Sequence, residues 1–118
     1  MIKVVNKKTY VEQGNPLGNK KFTFYIGRPS ILGNPYTHFN TVNTLAKYKV
    51  DTREDAINKY KKYFYETLET NHKFEKEVNW LVANYLYYER LILVCWCSPL
   101  SCHGDVIKEY IEDYISIV

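Results

Sequence analysis

The spacing of apolar residues along the chain predicts strands and helices in alternation. Residues 2–5 and 22–26 are short β-branched and aromatic runs, which favour strands. Proline and glycine residues at 13–20 predict a turn-rich connection between them. Residues 91–97 form a nearly continuous apolar run, which is typical of a strand covered on both faces. The sequence therefore predicts a sheet whose most buried strand comes late in the chain.

Three segments carry apolar residues at helical spacing. Asp51 or Thr52 can cap a helix over residues 53–69, and a second helix is predicted over about residues 74–88. A short helical turn is also expected near residues 44–48. The apolar faces consist of Ala56, Ile57, Tyr60, Tyr63, Phe64 and Leu68 in the first helix, Phe74, Val78, Leu81, Val82, Tyr85 and Leu86 in the second, and Ile107, Tyr110, Ile111, Tyr114, Ile115 and Val118 in the last.

The order of these elements predicts a single α/β domain over residues 1–118. Residues 22–26 and 91–97 are expected to be neighbouring parallel strands joined by a helical crossover. The expected fold is a small Rossmann-like sandwich of two or three layers, with a short, mostly parallel sheet and helices packed on it. Because ligands bind beyond the carboxyl ends of such strands, the loops at residues 27–35 and 98–105 are candidates for a site.

Composition narrows the class of protein. The chain has 46% hydrophobic and 25% charged residues, as globular domains do, and no apolar run long enough to span a membrane. Its net charge of +3 is spread over interspersed acidic and basic residues and does not call for a nucleic-acid partner. The N-terminal residues lack an apolar signal core, so the protein is expected to be cytoplasmic.

The late segment from Cys95 to Asp105 carries most of the reactive side chains. In the first interpretation, Cys102 and His103 are catalytic at the start of the last helix, with Asp105 as a cap or orienting carboxylate, because a helix N-terminus favours thiolates and anions. In the second, Cys95, Cys97, Cys102 and His103 hold zinc. In the third, the cysteines are small buried hydrophobes and the polar residues cap the helix. The three clustered cysteines do not predict a disulfide framework.

The loop after the second strand is rich in glycine and proline, and it contains one of only three arginines. Arg28 can hold a phosphate or carboxylate as a bidentate fork, with Ser30 and Asn34 donating hydrogen bonds. The alternative is a rigid turn with a surface cation. Arg53 stands at a predicted helix start, where the helix dipole disfavours a cation, so it is a further candidate for contacting an anion. The candidate ligand-binding residues are Gly27, Arg28, Ser30, Gly33, Asn34 and Arg53.

These two segments resemble a known family. Residues 25–35 show the pattern Tyr-Ile-Gly-Arg-x-Ser-x-Leu-Gly-Asn-Pro, and residues 95–105 show Cys-x-Cys-x-Pro-x-x-Cys-His-Gly-Asp. Both patterns are similar to those of small phage and bacterial proteins grouped as domain of unknown function 4326, in which Arg53 also has a counterpart. The resemblance implies a compact α/β fold that is often phage-encoded, and it supplies no reaction.

Together the residues favour a site for a nucleotide-type or nucleoside-type ligand, with or without catalysis through Cys102 and His103. The first alternative is a non-catalytic phage accessory protein that binds a host protein or sequesters a signalling nucleotide in the host cytoplasm. The second is a zinc-stabilised interaction module. A homodimer is compatible with the apolar, tyrosine-rich helices, which could equally pack internally.

Overall fold

The structure is a computed structural model, and it describes residues 1–12, 22–38, 46–96 and 102–117. The elements in chain order are β1 (Ile2–Asn6), α1 (Lys7–Glu12), β2 (Thr23–Tyr25), β3 (Tyr36–Thr37), β4 (Tyr48–Lys49), α2 (Arg53–Thr70), α3 (His72–Tyr88), β5 (Leu91–Cys95) and α4 (Gly104–Ile117). This is a small α/β fold, as the apolar pattern predicts.

A three-stranded parallel sheet forms the centre of the molecule, in the order β1-β5-β2. At the end of β1, Asn6 pairs with Cys95, and at the end of β2, Tyr25 pairs with Val94. The predicted parallel pairing of residues 22–26 with the late strand is confirmed. Since all three strands run in one direction, their carboxyl ends lie at the same edge of the sheet.

The two faces of the sheet are covered unequally. On one face, Leu93 and Cys95 join the main core, which α2, α3 and α4 complete. On the other face, Ile92 and Val94 pack with Tyr10 of α1 in a smaller cluster. Every residue of β5 is buried, which explains why its sequence is apolar throughout rather than alternating.

The predicted apolar stripes of the long helices pack against the sheet, with two exceptions in the described residues. Tyr114 of the last helix is 44% exposed. Leu86 was predicted to face inward, but its side chain is 56% exposed. It lies about 100° around the helix from Tyr85, which is the last α3 residue that packs on the core. The residues buried as predicted include Ala56, Tyr60, Phe64, Phe74, Val78, Leu81, Val82, Ile107 and Ile111.

None of the helices in the described ranges is long and apolar enough to cross a membrane.

Two local features differ from the sequence prediction. Asn6 caps the short helix α1 by accepting hydrogen bonds from the Lys8 and Thr9 amides, and this helix was not predicted. The helical turn expected near residues 44–48 is wrong in its described part, because Tyr48 belongs to a strand that pairs with β3. Long-range pairing decides that conformation, which local propensity does not reveal. Residues 13–20, 44, 45 and 118 lie outside the described residues.

Candidate functional site

Two loops that are distant in the sequence meet at the carboxyl edge of the sheet. We call residues 28–35 the arginine loop and residues 102–105 the cysteine turn. The ring nitrogen Nε2 of His103 lies 2.7 Å from the carbonyl oxygen of Ile26, at the end of β2. This buried hydrogen bond joins the cysteine turn directly to the strand from which the arginine loop departs.

The arginine loop is held by its own polar groups. The Arg28 guanidinium donates from Nη1 to the Asn34 carbonyl oxygen at 3.1 Å, and the Ser30 hydroxyl accepts from the Leu32 amide at 3.1 Å. Leu32 is buried in the core, where its carbonyl oxygen accepts from the Tyr60 hydroxyl at 2.7 Å. Internal hydrogen bonds therefore fix the conformation of the loop, and the Tyr60 hydroxyl attaches it to α2.

Asn34 and Gly33 serve the shape of this loop. The Asn34 side chain donates to the Ala56 carbonyl oxygen at 3.2 Å and accepts from the Tyr36 amide at 2.9 Å. A Cβ atom on Gly33 would lie 3.0 Å from the Arg28 backbone, so a larger residue would push these two segments apart by a few tenths of an ångström. Both ends of the Asn34 amide are engaged within the protein, although the sequence suggested it as a ligand donor.

The cysteine turn is closed by reciprocal contacts. The Cys102 amide donates to the Asp105 carboxylate at 3.1 Å, and the Asp105 amide donates to the Cys102 carbonyl oxygen at 3.0 Å. The Gly104 amide donates to Cys102 Sγ at 3.1 Å, and the Val106 amide donates to the His103 carbonyl oxygen. The first amides of α4 are thus satisfied by the turn itself, in the manner of a capping box.

Cys102 and His103 are both buried, with 2% and 7% of their surface exposed. Burial is the main cause that lowers the pKa of His103 to about 4, and the nearby Arg28 charge acts in the same direction. The ring is therefore neutral at pH 7. Because Nε2 faces a carbonyl oxygen, that nitrogen must carry the proton, and Nδ1 is the unprotonated acceptor.

Arg28 and Arg53 are two of the positive charges near the candidate site. Both side chains are half-buried, and neither forms an ion pair with a carboxylate within the described parts of the chain. Arg53 begins α2, one turn before the residue to which Asn34 is bonded. Its charge reaches His38, whose pKa is lowered first by burial and then by Arg53.

An aromatic side chain of the predicted Cys95–Asp105 segment, which was given no role from the sequence, lies at the same edge. Trp96 follows β5 and is 56% exposed, and its Nε1 donates to the Tyr25 hydroxyl at 3.0 Å. Tyr25 donates in turn to the Arg28 carbonyl oxygen at 2.8 Å. Lys7 Nζ lies 5.0 Å from the centre of the Trp96 ring. The sequence contains a signal for this side chain, because Trp96 directly follows a buried strand and alternation along a strand predicts that it faces away from Cys95.

Three of the four residues of the zinc interpretation belong to the described part of the chain. Cys95, Cys102 and His103 lie at the end of β5 and in the cysteine turn, whereas Cys97 lies outside the described residues. The described residues contain no group of three or more histidine, cysteine or acidic side chains arranged to hold a metal. His103 uses Nε2 for the Ile26 carbonyl oxygen, so only Nδ1 would be open to a metal.

The structure therefore separates the predicted site residues into three groups. Cys102 and His103 are buried in the cysteine turn, and the exposed Asp105 closes it. Asn34, Ser30 and Gly33 shape the arginine loop, and the carbonyl oxygen of the preceding Gly27 accepts the Ser30 amide. Arg28 and Arg53 carry the charge at the surface of the site. Residues 98–101 of the predicted second loop lie outside the described residues.

Comparison with known proteins identifies one family. Its model, described as domain of unknown function (DUF4326), matches residues 5–113, which is nearly the whole chain. Searches of the curated proteins and of the solved structures returned no match.

Proposed function

The chain belongs to the domain of unknown function 4326 family, and we propose that it binds a small anionic ligand of the nucleotide type at the carboxyl edge of its sheet. One observation carries the proposal. The cationic arginine loop is linked through Tyr25 to an exposed indole, that of Trp96, at the edge where parallel sheets bind ligands. Ligand binding at this edge would be Rossmann-like.

Arg28 is the group proposed to hold the phosphate. A guanidinium has five N–H donors, and the described contacts of Arg28 engage one of them, with the Asn34 carbonyl oxygen. That bond and the close packing of Gly33 fix the stem of the side chain, so the remaining donors are oriented before a ligand arrives. A pre-oriented fork suits the bidentate recognition of phosphate. Arg53 would add a second positive charge.

Trp96 is the group proposed to contact the base or sugar. Its ring is 56% exposed, and the hydrogen bond to Tyr25 restrains its rotation. A fixed, exposed aromatic face stacks on any base, with a contribution of roughly 1–3 kcal/mol per base. A nucleotide therefore fits the combination of charge and indole better than phosphate alone does.

The proposal assigns positioning roles to Cys102, His103 and Asp105, in place of the catalytic roles considered from the sequence. The Cys102 thiol and the His103 ring are buried, and the amides of the turn bond within the protein. Binding without turnover is what a protein that sequesters a nucleotide requires. This agrees with the phage accessory protein considered from the sequence as an alternative, and we place it in the cytoplasm.

The test is calorimetric titration with adenosine 5′-monophosphate as the probe, followed by adenosine and inorganic phosphate as partial probes. We expect the nucleotide to bind more tightly than either part. Arg28→Ala should weaken nucleotide binding by about tenfold or more, because a charge-assisted bidentate contact is lost. The matched control is Arg90→Ala. Arg90 is exposed and lies over the Phe22 ring at the opposite end of β5, so its loss should leave binding unchanged.

Three results would contradict the proposal. One is a folded chain that binds neither adenosine monophosphate nor the guanosine, cytidine and uridine monophosphates. Another is equal affinity in the wild type and in Arg28→Ala. The third is consumption of the probe, abolished by Cys102→Ser, which would restore the catalytic interpretation.

A further inference from the structure

Two cysteines at the carboxyl edge lie close enough to react with each other. Cys95 ends the central strand β5, and Cys102 begins the cysteine turn. The Cys102 thiol donates to Cys95 Sγ with the two sulfur atoms 3.1 Å apart. Both residues are almost completely buried, with 1% and 2% of their surface exposed.

We propose that Cys95 and Cys102 form a reversible disulfide. A disulfide bond is about 2.05 Å long, so the sulfur atoms need to approach by about 1 Å. The amide of Gly104, which donates to Cys102 Sγ, can stabilise negative charge on that sulfur during the reaction. The structure thus provides two thiols in contact and an N–H donor, that of Gly104, for the negative charge that develops on Cys102 Sγ.

The proposed oxidant is hydrogen peroxide, which is small and uncharged. Hydrogen peroxide transfers one oxygen atom to one thiol, which becomes a sulfenic acid, and its other oxygen atom leaves as water. The second thiol then displaces the hydroxyl group as another water molecule and forms the sulfur–sulfur bond. In sum, two thiols and one peroxide give one disulfide and two waters. A dithiol such as dithiothreitol reverses the change by exchange, and is itself oxidised to a disulfide.

The disulfide would join two elements that meet at the candidate site. It would link the end of β5 to the start of α4 and close the intervening chain, residues 96–101, into a ring. Trp96 lies within that ring. The inference stands on the sulfur contact alone and holds whether or not the edge binds a nucleotide.

The test uses the Cys97→Ser variant, because it leaves Cys95 and Cys102 as the only two thiols. The folded variant is treated with hydrogen peroxide, then denatured and alkylated with iodoacetamide, and its mass is measured. We expect two alkylated thiols before oxidation, none after it, and two again after dithiothreitol. Residues 91–108 form one tryptic peptide without methionine, and this peptide should have lost two hydrogen atoms.

The matched control carries Cys95→Ser together with Cys97→Ser. It retains only the Cys102 thiol and cannot lose two hydrogens within one chain. If Cys97→Ser does not fold, tandem mass spectrometry of the wild-type peptide locates the bond instead. The proposal is overturned by oxygen addition to one cysteine, by dimers linked between chains, by two alkylated thiols that persist after oxidation, or by a wild-type bond that involves Cys97.

Discussion

The cysteine turn and the arginine loop stand side by side at the carboxyl edge of the sheet, and they use their polar groups in opposite ways. In the cysteine turn, thiol, carboxylate and amides bond to one another, and Cys102 and His103 are buried. In the arginine loop, backbone and side-chain bonds fix the shape, while the Arg28 guanidinium remains half-buried and without a carboxylate partner in the described residues. A segment rich in reactive residue types, such as the cysteine turn, can therefore have a structural role. The neighbouring arginine loop can carry the charge for binding.

This comparison predicts that substitutions in the cysteine turn change mainly the free energy of unfolding, whereas substitutions of the two arginines change mainly the affinity for a nucleotide probe.

The largest expected effect is the dependence of stability on pH through His103. Burial lowers its pKa from the ordinary 6.5 to about 4, so between these values the unfolded chain binds more protons than the folded chain. Stability should then fall as the pH drops from 6.5 to 4, by about 3 kcal/mol. His103→Phe removes this titration. The variant loses the hydrogen bond to the Ile26 carbonyl oxygen, which should cost about 1–3 kcal/mol of stability at neutral pH. On acidification the variant should lose less stability than the wild type.

Urea unfolding of both proteins at neutral pH and near pH 4 measures this difference. His72→Phe is the control, because the His72 side chain is 86% exposed, and its pH dependence should match that of the wild type. If His103→Phe and the wild type lose the same stability on acidification, His103 is not a buried neutral group.

The next effect comes from Gly104, at the start of α4. A Cβ atom there would lie 2.8 Å from Ile26 Cδ1 and 2.9 Å from Val4 Cγ1. Both neighbours belong to the packing under the helix start, so Gly104→Ala should destabilise the fold by about 1–3 kcal/mol, less whatever alanine gains in helix propensity. Thermal unfolding measures it. Asn58→Ala, at an exposed position of α2, should change stability by less than about 0.5 kcal/mol. A Gly104→Ala protein as stable as the control would show that the cysteine turn is loosely packed.

The fold was predictable to the extent that burial follows the pattern of apolar residues. The stripe with Tyr60 and Phe64 and the unbroken apolar run of β5 located the core, because long helices and buried strands must place apolar side chains inward. The short strands β3 and β4 and helix α1 were missed. Each has only two to six residues, and their formation depends on partners such as the Pro35 carbonyl oxygen or Asn6, which a local pattern does not reveal.

The place of the candidate site was predictable, but the roles of its residues were not. Parallel pairing brings the loops after β2 and β5 to one edge, and that rule needs no side-chain detail. The burial of Cys102 and His103, in contrast, results from how the helix start packs on Ile26 and Val4. The exposure of Trp96 similarly depends on which face of the sheet receives only the short helix α1.

A smaller effect on stability is expected at Asp105. Its carboxylate accepts the Cys102 amide, so Asp105→Ala leaves that amide without its partner and should cost about 1 kcal/mol. Asp113→Ala is the matched control, because Asp113 is an exposed aspartate near the other end of the same helix. Removing a negative charge there should not destabilise the helix. Equal midpoints of chemical unfolding for the two variants would mean that the capping contact contributes nothing.

The smallest effect on stability should be opposite in sign, and it belongs to Arg53. A cation at the start of α2 opposes the helix dipole, so Arg53→Gln should stabilise the fold by about 0.3–1 kcal/mol.

The same Arg53→Gln change removes a positive charge from the proposed site, and nucleotide affinity should fall. The pKa of His38, which Arg53 lowers, should rise and can be followed by NMR titration. Lys59→Gln, exposed in the same helix, should leave the affinity unchanged. If Arg53→Gln stabilises the helix and weakens nucleotide binding, Arg53 contributes to the site at a cost to its own helix. Unchanged affinity in Arg53→Gln would mean that Arg28 alone supplies the charge for binding.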